Sequence, residues 1–383
     1  MSNCLLLVIN NLGFLYSHRL QVALSAANSG YDVHVATYFD GKDELKNCDQ
    51  ITYHRIKFNR NSTNPLKDAP AFLQLISLYR RIKPTVIHHI GMKPILFGSL
   101  AARFFSSARY VNAISGLGYL FISTSTKAAI IRGLLVKGFK LGFSSPRCNF
   151  IFQNDFDRDE FRKRRIIRST HQVTMIRGSG VDLDEFSSVT AHNIEPLVVL
   201  PARLLWDKGV GEFVAAARQL QHRVSARFIL VGDVDLINPA SVTRAQVAQW
   251  VEEGIVEHWG WRTDMDKVFQ QADIVCLPSY REGMPKALLE AAASGCPIVT
   301  TDAPGCNDVV KHGENGFLVP VKDTDHLLER LETLINNPKL RTEMGRQSRL
   351  RAEQLFGITH VVEQHLTLYL QLINPSKRWI STE

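Results

Sequence analysis

The sequence predicts an α/β protein made of two Rossmann-like domains that face each other across a cleft. Short apolar strands alternate with helices from residue 4 onward, and this alternation is typical of parallel sheets covered by helices on both faces. The same pattern begins again at residue 196. A chain of 383 residues is also long for one hydrophobic core and suits two domains.

In the first half, apolar runs and glycines mark the elements. We expect a strand over residues 4–10, a glycine-containing loop over 10–17, and a helix over 18–30 that Gly30 terminates. The further predicted elements are a strand at 32–38, a helix near 71–83, and strands at 85–90 and 109–114.

The second half repeats the arrangement. Predicted strands cover residues 196–201, 227–231, 272–277 and 297–301, and predicted helices cover 210–220 and 286–294. We expect domains over residues 1–180 and 181–360, and an amphipathic helix of about 360–373 within the segment 361–383, packing back on the first domain. Ligands of open α/β sheets bind beyond the carboxyl ends of the strands, so the loops that follow strands hold the candidate residues.

Composition limits the compartment and the partners. The six cysteines are scattered, without C-x-x-C pairs or a histidine cluster at zinc spacing, which indicates reduced thiols in a reducing compartment. The apolar run at residues 5–9 is too short for a signal-peptide core, and no stretch is long enough to span a bilayer. We therefore expect a cytoplasmic protein, and the net charge of +8 indicates a negatively charged partner.

One loop in the second half joins a carboxylate to the start of a helix. The segment PSYREGMPKALLE puts Glu282 in the loop, Pro285 in the first helical turn, and Glu290 one to two turns later. Backbone amides at the positive end of the helix dipole form an anion site, and Glu290 can bind ribose hydroxyls. The spacing of the two carboxylates alone favours a structural alternative, a loop carboxylate and an ordinary helix glutamate. The amides of this predicted anion site belong to Gly283, Met284, Lys286 and Ala287.

A second loop carries two cations. Arg203 and Lys208 follow the first predicted strand of the second domain and precede its first helix. Two such cations can hold a diphosphate leaving group, with charge-assisted hydrogen bonds of roughly 1.5–3 kcal/mol each. The alternative is a solvated loop, but two loops of complementary chemistry in one domain favour the functional interpretation.

These motifs, Arg203-x4-Lys208 and Glu282-Gly-Met-Pro-x4-Glu290, resemble those of family 4 of the retaining GT-B glycosyltransferases. The segments ADIVCLPS, TDAPGCNDVV, NGFLV and RGSGVDLDEF also fit, with Ser179 in place of the family's asparagine. In the first half the resemblance is looser. It depends there on NNLGF, HHIGMKP and GLGYLF, which look like bacterial enzymes that extend lipid-linked sugars for O-antigen, capsule or glycoprotein glycans.

The resemblance implies a role for each matching residue. Arg203 and Lys208 would neutralise the donor diphosphate, Glu282 would contact the transferred sugar as the catalytic residue, and Glu290 would bind the ribose. Trp261 and Arg262 lie where the family holds the base, and Gly13 would allow the backbone to approach the donor phosphates. No cofactor and no metal are expected, because the cations and the helix terminus can replace a metal, and the nucleotide-sugar is a substrate.

One departure from the family lies after the predicted strand 109–114. Many members have a histidine there that contacts the sugar, whereas this sequence has Ser115. His18 and His88 are the candidates to replace it, although a lone histidine is more often packed or solvated.

Two recurring patterns are weaker. Asp-x-Asp, a metal-binding signature of a different glycosyltransferase fold, recurs so often that chance explains it, and only Asp233 and Asp235 follow a clear strand. The G-x-G segments beginning at residues 116 and 178 lack the third glycine of the dinucleotide fingerprint, which makes a nicotinamide enzyme a poor fit.

Two basic segments suggest a membrane surface. Residues 127–143 are apolar and basic, as in a helix lying on a membrane, and residues 161–168 add further positive charge. A solvated helix face is the alternative, and nucleic acid is the weaker interpretation because neither segment interleaves aromatic residues on a recognisable nucleic-acid-binding fold.

The sequence thus predicts a retaining hexosyltransferase that moves a hexose or N-acetylhexosamine from a UDP-sugar to a lipid-linked or cell-surface glycan, on the inner face of the membrane. The alternatives are a silent nucleotide-binding partner in a polysaccharide assembly complex and a nucleotide-sugar epimerase of the same fold. The sugar, the acceptor hydroxyl and the choice between uracil and guanine stay open at this point, since fold analogy does not fix a substrate.

Overall fold

A computed structural model of the chain describes residues 3–40, 43–47, 49–58, 68–116, 126–187 and 193–374. The chain divides into two compact units, one of Met1–Ser179 with Val361–Glu383 and one of Gly180–His360. Each unit contains one parallel sheet with helices between its strands, which confirms the α/β class.

The first unit is built on a seven-stranded parallel sheet. Its strands are β1 (Cys4–Ile9), β2 (Asp32–Thr37), β3 (Ile51–Arg55), β4 (Val86–Ile90), β5 (Arg109–Ile114), β6 (Cys148–Phe152) and β7 (Gln172–Met175). Their order is β3-β2-β1-β4-β5-β6-β7. The chain adds β2 and β3 on one side of β1, and then crosses to the other side of β1 to add β4 to β7. The helices of this part are α1 (Leu12–His18), α2 (Leu20–Asn28), α3 (Ala69–Ile82), α4 (Met92–Phe105), α5 (Thr126–Gly142) and α6 (Asp155–Lys163).

The prediction of a loop over residues 10–17 is wrong, because most of these residues form the short helix α1. The side chain of Asn11 accepts a hydrogen bond from the backbone N–H of Phe14 at 2.9 Å and so caps the first turn. Such a cap offsets part of the cost of Gly13 inside the helix. The following helix begins at Leu20 rather than at residue 18, and Gly30 lies beyond its end with φ +87°.

The second unit is built on a six-stranded parallel sheet. Its strands are β8 (Leu197–Pro201), β9 (Arg227–Val231), β10 (Glu257–Gly260), β11 (Ile274–Leu277), β12 (Ile298–Thr301) and β13 (Gly316–Val319), in the order β10-β9-β8-β11-β12-β13. Its helices are α7 (Val210–Leu220), α8 (Arg244–Glu252), α9 (Met265–Gln271), α10 (Lys286–Ala293), α11 (Cys306–Val309), α12 (Thr324–Asn336) and α13 (Pro338–Leu355). The last helix, α14 (Ile358–Ile373), begins in this unit and continues into the first.

Helix α14 is packed by its apolar and aromatic face within the first unit. His365 and Tyr369 are fully buried, and the Tyr369 hydroxyl lies 2.7 Å from Nδ1 of His88 on β4. Residues 361–373 thus pack within the first unit, although more than 180 residues separate them from β7 in the sequence.

Candidate functional site

The centre of the candidate site is an ion pair between two loops of the second unit. Lys208 ends a short 3₁₀ helix, Trp206–Lys208, that follows β8, and Glu282 lies in the loop after β11. Because β8 and β11 are neighbours in a parallel sheet, their carboxyl ends meet at one edge. Nζ of Lys208 there contacts Oε1 of Glu282, and both side chains are mostly buried.

Ser279 provides a second hydrogen bond to the same oxygen. Its hydroxyl donates to Oε1 of Glu282 at 2.8 Å, and Ser279 is fully buried. Both hydrogen bonds recorded for the Glu282 carboxylate in the described part of the chain go to Oε1. The carboxylate is therefore held in one orientation, with Oε2 as the oxygen left to face a ligand.

The two loops are also joined through their backbones. The N–H of Tyr280 donates to the carbonyl of Asp207 at 2.9 Å. Gly209 has φ +75°, and a Cβ at this position would lie 2.2 Å from the carbonyl oxygen of Pro278. Only glycine permits this approach, so the register of Lys208 against Glu282 depends on residue 209.

A third loop supports Glu282 from the other side. The N–H of Glu282 donates to the carbonyl of Pro304 at 3.0 Å. Gly305, which caps α11, has φ +83°, and a Cβ there would lie 2.6 Å from the carbonyl oxygen of Glu282. The TDAPGCNDVV segment is thus part of the scaffold of the catalytic candidate.

Arg203, the other predicted cation, is held by a carboxylate. Its Nη1 lies 2.8 Å from Oδ2 of Asp235, and its side chain is 51 % exposed. Asp235 belongs to the Asp-x-Asp pattern that the sequence analysis assigned to chance. The structure gives Asp235 a place beside a predicted phosphate ligand, in the loop that follows β9.

The helix start predicted as an anion site differs in detail from the prediction. Pro285 is the residue before α10 rather than part of its first turn, with ψ +115°. Met284 is buried in the apolar cluster of this unit, so only its backbone is a candidate ligand. Gly283 lies between Glu282 and Met284 in the same loop.

Lys286 and Glu290 form an ion pair within α10. Nζ of Lys286 lies 2.9 Å from Oε1 of Glu290, which is 7 % exposed. Burial raises the pKa of the Glu290 carboxyl above its usual value of 4.5, although the Lys286 ammonium opposes the shift. A ribose that donated hydroxyl hydrogen bonds to this carboxylate would favour its charged form.

The residues predicted at the base follow Gly260 at the end of β10. Trp261 is 69 % exposed, which leaves its ring free to stack on a planar ligand. Arg262 forms a double hydrogen bond with the Asp264 carboxylate, each at 2.8 Å, and this bonding raises the pKa of the guanidinium. Arg262 is therefore already bound to a neighbour in the chain.

The candidates of the first unit are not gathered in the same way. Gly13 lies in the first turn of α1 and is exposed. His18 ends that helix, and its ring stacks on Phe14 at 4.3 Å between centroids and lies 2.6 Å from the Ser17 hydroxyl. Ser115 directly follows β5 and is half-buried.

A sugar contact through His88 is not supported. The side chain is fully buried, its Nδ1 is hydrogen-bonded to Tyr369, and burial holds its pKa well below the usual value. A neutral, enclosed imidazole serves to attach α14, so we withdraw His88 from the sugar-side candidates. His88, the first histidine of the HHIGMKP segment, is a packing residue.

Ser279, Tyr280 and Glu212 are functional candidates that the sequence did not single out, and Asp235 was noted only as part of a pattern assigned to chance. The hydroxyl of Tyr280 donates to Oε1 of Glu212 on α7 at 2.6 Å. Ser279 and Tyr280 stand between the buried strand β11 and Glu282, and that position was the signal that could have found them.

The basic segments are placed on two helices of the first unit. Residues 126–142 form α5, with Leu134 and Leu141 exposed to 62 % and 49 % beside exposed Lys137 and Lys140. The run at 161–168 is only partly helical, since α6 ends at Lys163. Most of the GLGYLF segment, residues 117–121, lies outside the described residues. No helix in the described part of the chain is long and apolar enough to cross a membrane.

Two family models match the chain, one for each unit. The model described as "Glycosyl transferase 4-like" matches residues 5–145, and the model described as "Glycosyl transferases group 1" matches residues 195–337. Together they cover the first sheet from Leu5 to the end of β5, the whole second sheet and the loops of the candidate site, whereas β6 and β7 lie outside the matched residues.

Individual relatives agree with these matches. The chain is 29 % identical over 330 residues to N,N'-diacetylbacillosaminyl-diphospho-undecaprenol alpha-1,3-N-acetylgalactosaminyltransferase of Campylobacter jejuni, with 83 % of this chain and 85 % of that one covered. Sucrose-phosphate synthase from Thermosynechococcus elongatus shares the fold with a TM-score of 0.82 at 19 % identity, covering 97 % and 100 % of the chains. HepE of Anabaena, solved with UDP-glucose, gives 0.74 at 18 % identity over 95 % and 99 %. These likenesses confirm the GT-B fold.

Proposed function

We propose that the chain, which belongs to the glycosyltransferases that combine a 4-like domain with a group 1 domain, transfers a hexose or N-acetylhexosamine from a UDP-sugar to a lipid-linked glycan. The transfer retains the anomeric configuration. The observation that carries the proposal is the Lys208–Glu282 pair, fixed by Ser279 at the carboxyl ends of β8 and β11. A buried cation and carboxylate at this edge suit a phosphorylated sugar.

The donor side follows from the charges of the second unit. Lys208 and Arg203 would bind the diphosphate, and Arg203 would exchange Asp235 for a phosphate oxygen when the donor binds. Glu290 would accept the ribose hydroxyls, and the exposed ring of Trp261 would stack on the base. A uracil base is supported by the likeness in fold to HepE, which is solved with UDP-glucose.

The chemical step needs stabilisation of charge more than a protein nucleophile. The acceptor oxygen forms a bond to the anomeric carbon while the bond from that carbon to the diphosphate oxygen breaks. The electron pair leaves with the nucleoside diphosphate, and the acceptor proton passes to a phosphate oxygen on the same face. Lys208 stabilises the developing phosphate charge, and Glu282 stabilises the positive charge that develops on the sugar ring. No metal is required for these roles.

The acceptor side is proposed from the relatives and from α5. The Campylobacter relative is named for an acceptor on diphospho-undecaprenol, a lipid. On α5, two exposed leucines beside two exposed lysines give the pattern of a helix lying on an anionic membrane surface. We place the protein at the inner face of the membrane on this basis, and vesicle sedimentation with anionic and neutral lipids tests that placement.

A catalytically silent nucleotide-binding partner is the second candidate, and Ser115 in the position of the family's histidine is the observation that favours it. Such a protein would bind the nucleotide through the same cations but would transfer nothing. An epimerase of the same fold would convert or release the donor sugar without any acceptor.

The experiment that separates these functions measures nucleotide release from a panel of UDP- and GDP-sugars, with and without a bacterial extract of lipid-linked acceptors. Each reaction is run with and without EDTA. Release that needs the acceptor and persists in EDTA is the expected result and identifies the donor. Binding without turnover under every condition would favour the silent partner, and turnover without acceptor would favour the epimerase.

A further inference from the structure

A cluster of metal-ligand side chains lies in the first unit, at the amino ends of β1 and β2. Cys4 and Asp32 are the first residues of these strands and are paired in the parallel register. His34 lies two residues further along β2, so its side chain projects from the same face of the sheet as that of Asp32. One ligand atom from each of the three side chains lies within 4.8 Å of the other two.

From this cluster we propose that the chain binds a zinc ion through the Cys4 thiolate, an Asp32 oxygen and Nε2 of His34, with the fourth position open to water. A tetrahedral zinc with bonds of about 2.0–2.3 Å separates its ligand atoms by about 3.3–3.8 Å. Nε2 of His34 and Oδ2 of Asp32 are already 3.1 Å apart. Small side-chain rotations therefore suffice, and no strand has to move.

The histidine is oriented by a directional chain of hydrogen bonds. Nη2 of Arg81 lies 3.4 Å from Nδ1 of His54, and Nε2 of His54 lies 2.8 Å from Nδ1 of His34. Arginine only donates and an ionised carboxylate only accepts, so the hydrogens run from Arg81 through both rings to Asp32. In this order each ring carries its hydrogen on Nε2 and accepts at Nδ1, so zinc binding at Nε2 of His34 requires the other tautomer.

Zinc binding would reverse this chain. With the metal on Nε2, His34 carries its hydrogen on Nδ1 and donates to His54, as histidines bound to metals commonly do toward a second residue. The hydrogen of His54 then lies on Nδ1 and faces the exposed Arg81, which must turn away. Removal of Arg81 should therefore strengthen zinc binding.

The donor atoms select the metal. A soft thiolate sulfur with an imidazole nitrogen favours zinc over magnesium or calcium, which prefer oxygen ligands.

The test uses the intact 383-residue chain after chelator treatment and dialysis, with zinc titrated by calorimetry. The expected result is one zinc per chain, with an affinity unaffected by excess magnesium. Cys4→Ser and His34→Gln should each weaken binding at least about tenfold, and Arg81→Ala should strengthen it. Cys276→Ala, which removes a buried thiol of the second unit, is the matched control and should bind zinc like the unsubstituted chain.

Cobalt substitution supplies an independent readout. A thiolate-to-cobalt charge-transfer band should appear with the unsubstituted chain and be absent from Cys4→Ser. Zinc should also raise the Tm of the unsubstituted chain but not that of Cys4→Ser. Zinc affinity unchanged by Cys4→Ser, or a cobalt complex without the thiolate band, would overturn the proposal. The site is independent of the proposed transferase activity, so failure of either leaves the other standing.

Discussion

The two units differ in how their candidate residues are prepared for a ligand. In the second unit, Lys208, Ser279 and Glu282 are already joined at one edge of the sheet by hydrogen bonds and backbone contacts. In the first unit, His88 is enclosed under α14 and Gly13 lies within a helix. The difference indicates that the charged candidates of the second unit are preorganised for a ligand, whereas Gly13 and His88 of the first unit are not brought together.

The largest effects should come from the central ion pair. Glu282→Ala should lower transfer about 10³-fold while nucleotide binding changes little, because the carboxylate acts on charge that develops in the transition state. Lys208→Ala should lower both transfer and nucleotide binding, because the lysine contacts the diphosphate in both states. Steady-state rates and calorimetric UDP binding measure the two quantities.

Glu257→Ala is the control for these two variants, since Glu257 pairs with Arg227 away from the candidate loops. It should retain normal transfer. If Glu282→Ala transferred sugar at the rate of the unsubstituted chain, Glu282 would not be a catalytic residue. The contrast drawn between the two units would then fail.

Removal of the Ser279 hydroxyl should give the next largest effect. A hydrogen bond to a charged group contributes about 1.5–3 kcal/mol, so Ser279→Ala should lower kcat by about 10- to 100-fold with little change in KM. Ser348→Ala is the matched control, because Ser348 is equally buried in the same unit but bonds to Asn315. If kcat fell equally in both variants, in proportion to the loss of stability, Ser279 would be a packing residue.

A smaller effect is expected from freeing Arg203. Exposed ion pairs contribute about 0.2–1 kcal/mol, so Asp235→Asn should strengthen UDP binding by up to about fivefold as Arg203 no longer has to leave a carboxylate. Titration calorimetry measures the change. Weaker binding in Asp235→Asn would mean that Asp235 positions Arg203 for the phosphate instead of competing with it.

In the first unit, the expected effect is on stability alone. Burial lowers the pKa of His365 from 6.5 to about 3, so the unfolded chain takes up a proton between these values that the folded chain does not. The free energy of unfolding should fall as pH drops from about 6.5 toward 3, and less steeply in His365→Gln. Denaturant titrations at several pH values check the slope, and kcat at pH 7 should be unchanged. A changed kcat would give α14 a role in the reaction.

The sequence predicted the clearest elements of both units, for physical reasons. Helix α7 and strand β9 of the second unit and strand β5 of the first have the predicted bounds, because apolar runs with clear breaks define buried elements. The loop at 10–17 was mispredicted because Gly13 reads as a loop residue, while the cap by Asn11 that permits a helix depends on geometry. The burial of His88 depends on α14, which lies some 280 residues away in the sequence.

The candidate site was predicted in its charged residues but not in their partners. Arg203, Lys208, Glu282 and Glu290 were found because charged side chains after strands are distinctive. Ser279 was not singled out, and Asp235 was assigned to a chance pattern, because a serine and an acidic loop residue are common. Their positions beside Glu282 and Arg203 arise only when β8, β9 and β11 lie side by side.

Hydrogen–deuterium exchange with and without UDP tests the contrast between the units most directly. We expect slower exchange in peptides that cover residues 203–213 and 279–291, with little change in residues 4–37. Protection confined to the first unit, with the loops after β8 and β11 unchanged, would contradict it.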